Sequence, residues 1–245
     1  KIPWGPMLKS KGFWAVMIAM IFSDFGVYAM WTVVPAYMNE VLLFNIEQVR
    51  KRIMRNGFLS ALPQLGSLIF VLSTGYVADY IVQQKIVRAI TARKLFHTIG
   101  TISPAICLLI ISFLNCTRRY LAVGLLAVGV ALSGIMISGS YIVNVGDFSG
   151  IYSGIVFAIC NTVSSFGGFC APYITSVITR HKTTAQWRIA FLSYTGSFII
   201  SFIVFSLLAQ GEIQPWAKDK NDNSDADVEL RKDLFESDDK NDIIT

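Results

Sequence analysis

Asn56-Gly57-Phe58-Leu59-Ser60-Ala61-Leu62-Pro63 opens an uncharged run that closes at Gly75-Tyr76-Val77-Ala78-Asp79, and Arg93-Lys94-Leu95-Phe96 opens the next uncharged run. Lys85 and Arg88 lie between them. Two apolar stretches of about 20 residues, joined by a glycine-to-aspartate turn and a basic connection, have the layout of two membrane-crossing helices and their loop.

The same alternation runs along the chain. Of its 245 residues 53% are hydrophobic and only 15% charged, and the charges sit in short islands and one tail. Asp, Glu, Lys and Arg are absent from 57–78, 95–117, 120–146, 148–179 and 189–211, and 13–38 is interrupted only by Asp24. Each window reaches the roughly 20 residues that an α-helix needs to cross a bilayer core. A buried helix of a soluble protein is usually shorter and carries a polar stripe. Backbone groups in lipid must be satisfied within the segment, so each window is read as helix. The expected architecture is an all-α membrane protein with six transmembrane helices, at about 13–38, 57–80, 94–115, 120–144, 150–179 and 188–210. An even number of spans places both termini on one side.

Residues 1–12 read as a leading loop, with Pro3 and Pro6. The chain opens without an initiator Met or a signal-peptide layout, which reads as the later part of something longer. The connection 39–55 is long, and 47–52 reads as a short surface helix. After Trp216 the composition changes, and 212–245 is expected to be a charged tail whose stretch 219–242 is too polar to offset its ordering entropy. Cys107 and Cys116 share one span and Cys160 and Cys170 another, without metal or redox spacing, so they are read as small packing residues and no metal site is expected. A net charge of +5 gives no reason to expect nucleic acid.

Further islands accompany the opening stretch in a fixed order. They are Ile2-Pro3-Trp4 with Trp14, Tyr28 with Pro35-Ala36-Tyr37-Met38, Pro104-Ala105, and Asn144 with Asp147. Asn161-Thr162, Pro172, Trp187-Arg188 and Gly211-Glu212-Ile213-Gln214-Pro215-Trp216 follow. In this succession the chain resembles the C-terminal six helices of the anion and phosphate cotransporter branch of the major facilitator superfamily. That branch includes sialin, the vesicular glutamate transporters and sodium/phosphate cotransporters. The resemblance covers nearly everything except the tail, and nothing matches the family's N-terminal six helices. It departs at 47–55, which is longer than usual, and at Gly150, where the family commonly has proline. It departs again at Ser23, where vesicular glutamate transporters carry arginine, which argues against glutamate as the substrate.

The resemblance implies a secondary active transporter of small organic or inorganic anions, of sialic acid, acidic amino acid or phosphate type. It implies alternating access, coupling to protons or sodium with no other cofactor, and no enzymatic activity. It also implies a multi-pass protein of the plasma membrane or of a vesicular or lysosomal membrane. Membrane lipid, an anionic substrate, and the missing N-terminal six-helix half or a second chain are the expected partners. The alternative is a truncated, transport-incompetent protein that acts only on a full-length carrier. Cytoplasmic termini follow from the resemblance, whereas the Lys and Arg count of the loops favours the opposite orientation.

Asp24 lies near the middle of the first span. A carboxylate at bilayer depth costs at least a few kcal/mol and normally faces a cavity or a partner. It is therefore the expected coupling residue, against the plainer reading of a hydrogen-bonded acid with no ligand. Steps of four place Tyr28 and Thr32 on its face. With Asn161 and Thr162 they are the substrate-cavity candidates, and interhelical packing is the plainer reading of the last two and of Ser164, Ser165, Gly167 and Gly168. Pro172 permits a kink, and so a gate. Gly134, Ser138 and Gly139 are read as packing residues. By resemblance, Gly75 and Asp79 lock one closed conformation, with Lys85, Arg93 and Lys94 as partners, although a basic loop against anionic lipid is the ordinary reading of those cations. His97 and Arg188 read as interfacial residues. Asn115-Cys116-Thr117 is a glycosylation sequon too close to the membrane for use.

Overall fold

The computed structural model describes residues 2–32, 57–114 and 118–218, and every element among them is helical. The elements are α1 (Trp4–Lys9), α2 (Lys11–Thr32), α3 (Gly57–Gln83), α4 (Ala89–Ser112), α5 (Arg119–Gly139), α6 (Tyr141–Ser149), α7 (Ser153–Ile178) and α8 (Thr184–Leu208), with 3₁₀ turns at Gly150–Tyr152 and Pro215–Ala217. The expected surface helix at 47–52, the island 35–38, the sequon and the tail beyond residue 218 lie outside the described residues.

Five helical stretches are long and apolar enough to cross a membrane. One of them, Tyr120–Ile178, is 59 residues long. As a continuous helix it would extend roughly 90 Å, about three times a bilayer core. It is instead divided at Ser140 and at Gly150 into α5, α6 and α7. α5 has 21 residues and α7 has 26, so each is long enough for one crossing. Gly150 turns the chain with φ of 45°, and a Cβ there would lie 2.9 Å from the Ala217 carbonyl oxygen. Proline, with φ locked near −65°, cannot adopt that turn. The family's usual proline therefore has no counterpart here.

The leading segment, expected as a loop, contains α1, followed at once by α2. α4 begins at Ala89, so Arg93 and Lys94 belong to the helix and not to a basic loop. Counting charges started that helix too late, because a buried cation with an anionic partner can stay inside a span.

α5 packs between α3 and α4, α8 between α4 and α2, and α7 lies along α2. The bundle is thus an open row, with α3 and α7 at its ends. Only 11% of the α3 span is buried, against 61% of α2. In lipid, helix association depends on close packing and interhelical hydrogen bonds, not on hydrophobic burial. Gly100 and Gly134 show what that demands. A Cβ at Gly100 would stand 2.5 Å from the Met136 backbone nitrogen, and one at Gly134 would stand 2.6 Å from the Ser67 carbonyl oxygen. Glycine at these two positions brings α4 and α3 onto α5.

The segment after α8 holds α6 in place. The Asn144 side-chain amide donates to the Gln210 carbonyl at 2.8 Å, and the Gln214 backbone N–H donates to the Phe148 carbonyl at 2.9 Å. Trp216 packs its ring near Phe148 and Tyr152. The Gly211-to-Trp216 island thus forms a clasp around α6.

Candidate functional site

Asp24 is partly buried on α2, and its carboxyl lies beside the hydroxyls of Ser164 on α7 and Tyr141 on α6. Tyr141 is 3% exposed and stands within electrostatic reach of Asp24 and Tyr28. Hydroxyl groups of α6 and α7 therefore converge on the carboxyl of α2, with no cation beside it among the described residues. Tyr28 lies against α7, where a Cβ at Gly168 would come within 2.9 Å of its ring. Thr32 is outside this cluster. It is exposed, and its hydroxyl donates to the Tyr28 carbonyl of its own helix at 2.7 Å. Of the expected stripe, Asp24 and Tyr28 come together and Thr32 does not.

Asn161 and Thr162 are exposed on α7. The Thr162 hydroxyl donates to the Ala158 carbonyl at 2.8 Å, and Ser164 and Ser165 both donate to the Asn161 carbonyl. The Asn161 side-chain amide makes no hydrogen bond among the described residues, and it lies about one turn from Ser164. α7 runs unbroken through Pro172, which is exposed. The breaks in this part of the bundle fall at Ser140 and Gly150.

The expected closing set does not assemble as drawn. Asp79 is exposed on α3 and has no ion pair among the described residues. A Cβ at Gly75 would lie 3.6 Å from Ser138 Cβ, an ordinary contact, so close approach does not demand glycine there. Arg93 is 4% exposed, and its Nε donates to the Asp147 carboxylate at 3.0 Å, joining α4 to α6. The Arg93 Nη1 atom is buried without a partner among the described residues. Lys94 is half-buried and lines a polar hollow of about 570 Å³ with Arg88, Gln210, Glu212 and Gln214. A second hollow of about 570 Å³, between α2, α7 and α8, has no charged residue in its lining.

Reading the sequence alone missed His97. The residue is fully buried, not interfacial. Its Nδ1 is 2.9 Å from the Ser140 hydroxyl and its Nε2 is 3.1 Å from the Ser201 hydroxyl, which in turn meets Ser23 at 2.7 Å. Its position one turn after Arg93, on the same face, was the available signal. Trp187 is buried as well, while Arg188 donates to the Ser112 carbonyl at 3.2 Å and lies over the Phe113 ring, at the C-terminal end of α4. Gly134 and Gly139 are closely packed, in agreement with their reading as packing residues.

An Arg–Asp pair and a carboxyl set among hydroxyls, both using α6, lie in a chain with clear relatives. No family model matches it. It is 34% identical to sialin of Homo sapiens over 88% of its own length. It is 31% identical to vesicular glutamate transporter 3 of Danio rerio over 90% of its length. The chain belongs to the sialin and vesicular glutamate transporter family. It corresponds to the C-terminal portion of these relatives and spans 42% of sialin and 36% of the glutamate transporter. Membership in this family, with the apolar helices, makes it a multi-pass membrane protein of the anion-transporter branch of the major facilitator superfamily.

Proposed function

We propose that this chain supplies the C-terminal half of a secondary active transporter for small anions of sialic acid, acidic amino acid or phosphate type. The observation that carries the reading is the Asp24 cluster: a carboxyl within a span that lies beside hydroxyls from two other helices and, among the described residues, beside no cation. A structural acid at that depth is normally paired, whereas a coupling site must be able to gain and lose its proton or cation. Asp24 is thus the coupling residue, for H⁺ or Na⁺. Tyr28, Asn161 and Thr162 line the anion's path, with Thr32 at its edge. The anion's own countercharge comes from a second six-helix half, which packs on the open flanks of α3 and α7. Rocking of the two halves about a midplane site then gives alternating access. The Arg93–Asp147 pair braces one end of this half. Gly75, Asp79, Lys94 and Pro172 act in closure only against the second half. The membrane of residence is the plasma membrane or a vesicular or lysosomal membrane.

Uptake of labelled sialic acid, aspartate and phosphate into proteoliposomes tests this, under imposed proton and sodium gradients. The 245-residue chain is reconstituted alone and together with the N-terminal six helices of sialin. Saturable, gradient-dependent uptake of one of the three, lost in Asp24→Asn, is the expected result. Correctly folded protein with no uptake in either arrangement would overturn the reading and favour a chain that only modulates a complete carrier.

A further inference from the structure

His97 has no role in the function just proposed, yet hydrogen-bonding groups of three buried serines surround it. The imidazole lies between the rings of Phe205, with centroids 4.3 Å apart, and Tyr141, at 5.9 Å. Ser23, Ser140 and Ser201 around it are all fully buried. The hydrogen bonds fix which nitrogen carries the proton. The Ser201 hydroxyl donates to the Ala19 carbonyl at 3.0 Å, and a hydroxyl has one proton to give. Ser201 therefore accepts from its other neighbours, so Nε2 is the donor at 3.1 Å. Nε2 also lies 3.4 Å from the Ser201 carbonyl, a second acceptor. Nδ1 is then the acceptor and takes the Ser140 hydroxyl proton at 2.9 Å.

Ser140 is the residue at which α5 ends and α6 begins. The next residue, Tyr141, carries the hydroxyl beside Asp24. On α2 the neighbours Ser23 and Asp24 likewise go to separate partners, Ser23 to the His97–Ser201 layer and Asp24 to Tyr141 and Ser164. We infer that His97 is a positioning residue: its Nδ1 anchors the Ser140 hydroxyl at the α5–α6 break and so sets the Tyr141 hydroxyl against Asp24. An aromatic side chain of similar size would fill the same space but would leave the buried Ser140 hydroxyl without its acceptor. The inference rests on the transport reading only in the use it gives Asp24.

Two measurements on the full chain need no transport. The sequence has two histidines, His97 and His181, so ¹⁵N-histidine labelling in nanodiscs gives two imidazoles, assigned with His181→Gln. His97 is expected in the Nε2–H form, with Ser140→Ala shifting its Nδ1 resonance and leaving Nε2 in place. An Nδ1–H form, or no response to Ser140→Ala, would overturn the inference. In the second measurement ¹³Cζ-tyrosine reports Tyr141, assigned with Tyr141→Phe. His97→Asn keeps an acceptor near the Nδ1 position and should leave the Tyr141 signal unchanged. His97→Gln keeps a donor near the Nε2 position and should move it as Asp24→Asn does. Equal effects of the two variants would assign His97 to packing alone. In proteoliposomes, His97→Gln should lower gradient-driven uptake on the order of tenfold or more, with substrate KM little changed and His97→Asn near the parent. Absence of uptake in the parent chain would count against the transport reading, while the two resonance measurements would still decide the role of His97.

Discussion

Asp147 and Asp24 occupy two regions of one bundle and are held in opposite ways. Asp147 meets the guanidinium of the buried Arg93, so α6 is fastened to α4 by opposite charges. Among the described residues, Asp24 meets the hydroxyls of Tyr141 and Ser164 and no cation. An ion pair in a low-dielectric site is costly to break from either side, because the remaining charge is left uncompensated. A carboxyl among hydroxyls can gain a proton or a cation while its neighbours rotate to suit, because a hydroxyl both donates and accepts. The first arrangement braces a helix. The second suits a group whose charge changes during a cycle.

The comparison can be broken most sharply at Arg93. Arg93→Gln leaves Asp147 unpaired and should destabilise the bundle by about 3 kcal/mol, while Arg93→Gln with Asp147→Asn should recover most of that loss. Denaturant titration in mixed micelles, followed by tryptophan fluorescence, reads both variants. Equal destabilisation in single and double variants would remove the brace from the account.

Asp24→Asn should behave in the opposite sense. Stability should change by less than about 1 kcal/mol, because an amide fills the same space and its oxygen can still accept the Tyr141 hydroxyl proton. Gradient-driven uptake in the reconstituted carrier should fall steeply while substrate exchange is partly retained. Parallel loss of uptake and exchange would make Asp24 structural, as Asp147 is.

Packing sharpens the contrast between the inner helices and the open flank. Gly100→Ala drives a methyl into the Met136 backbone and should cost about 1–3 kcal/mol. Gly75→Ala meets only ordinary contact and should stay within about 0.5 kcal/mol in this bundle. Asp79→Asn, on the exposed flank, should have the smallest effect, also within about 0.5 kcal/mol. A large effect of Asp79→Asn on uptake alongside that small effect on stability would place its partner in the second half of the carrier.

Much of this arrangement was legible in the residues. Uncharged windows located the long helices, because lipid leaves the backbone no other partner than itself. Asp24 stood out because it is the only charge inside its window. Tyr28 followed from helical spacing, but the same spacing placed Thr32 in the cluster, and that failed because a threonine hydroxyl can bond back to its own helix. The start of α4 was read too late and His97 was read as interfacial for one shared reason. A charge pattern along a single helix does not show that Asp147 and Ser140, more than 40 residues later, return to meet it.

The sequence by itself determined that the chain is helical, apolar enough to cross a membrane, and related in its ordered islands to anion transporters. These are properties of single segments, governed by backbone hydrogen bonding in lipid and by local composition. Only the tertiary structure decided that Arg93 belongs to Asp147 and not to Asp79, that His97 anchors the α5–α6 break, and that Tyr141 and Ser164 hold Asp24. Such pairings depend on which helices become neighbours. That is set by backbone contacts such as those at Gly100 and Gly134, where glycine brings surfaces together that no segment specifies alone.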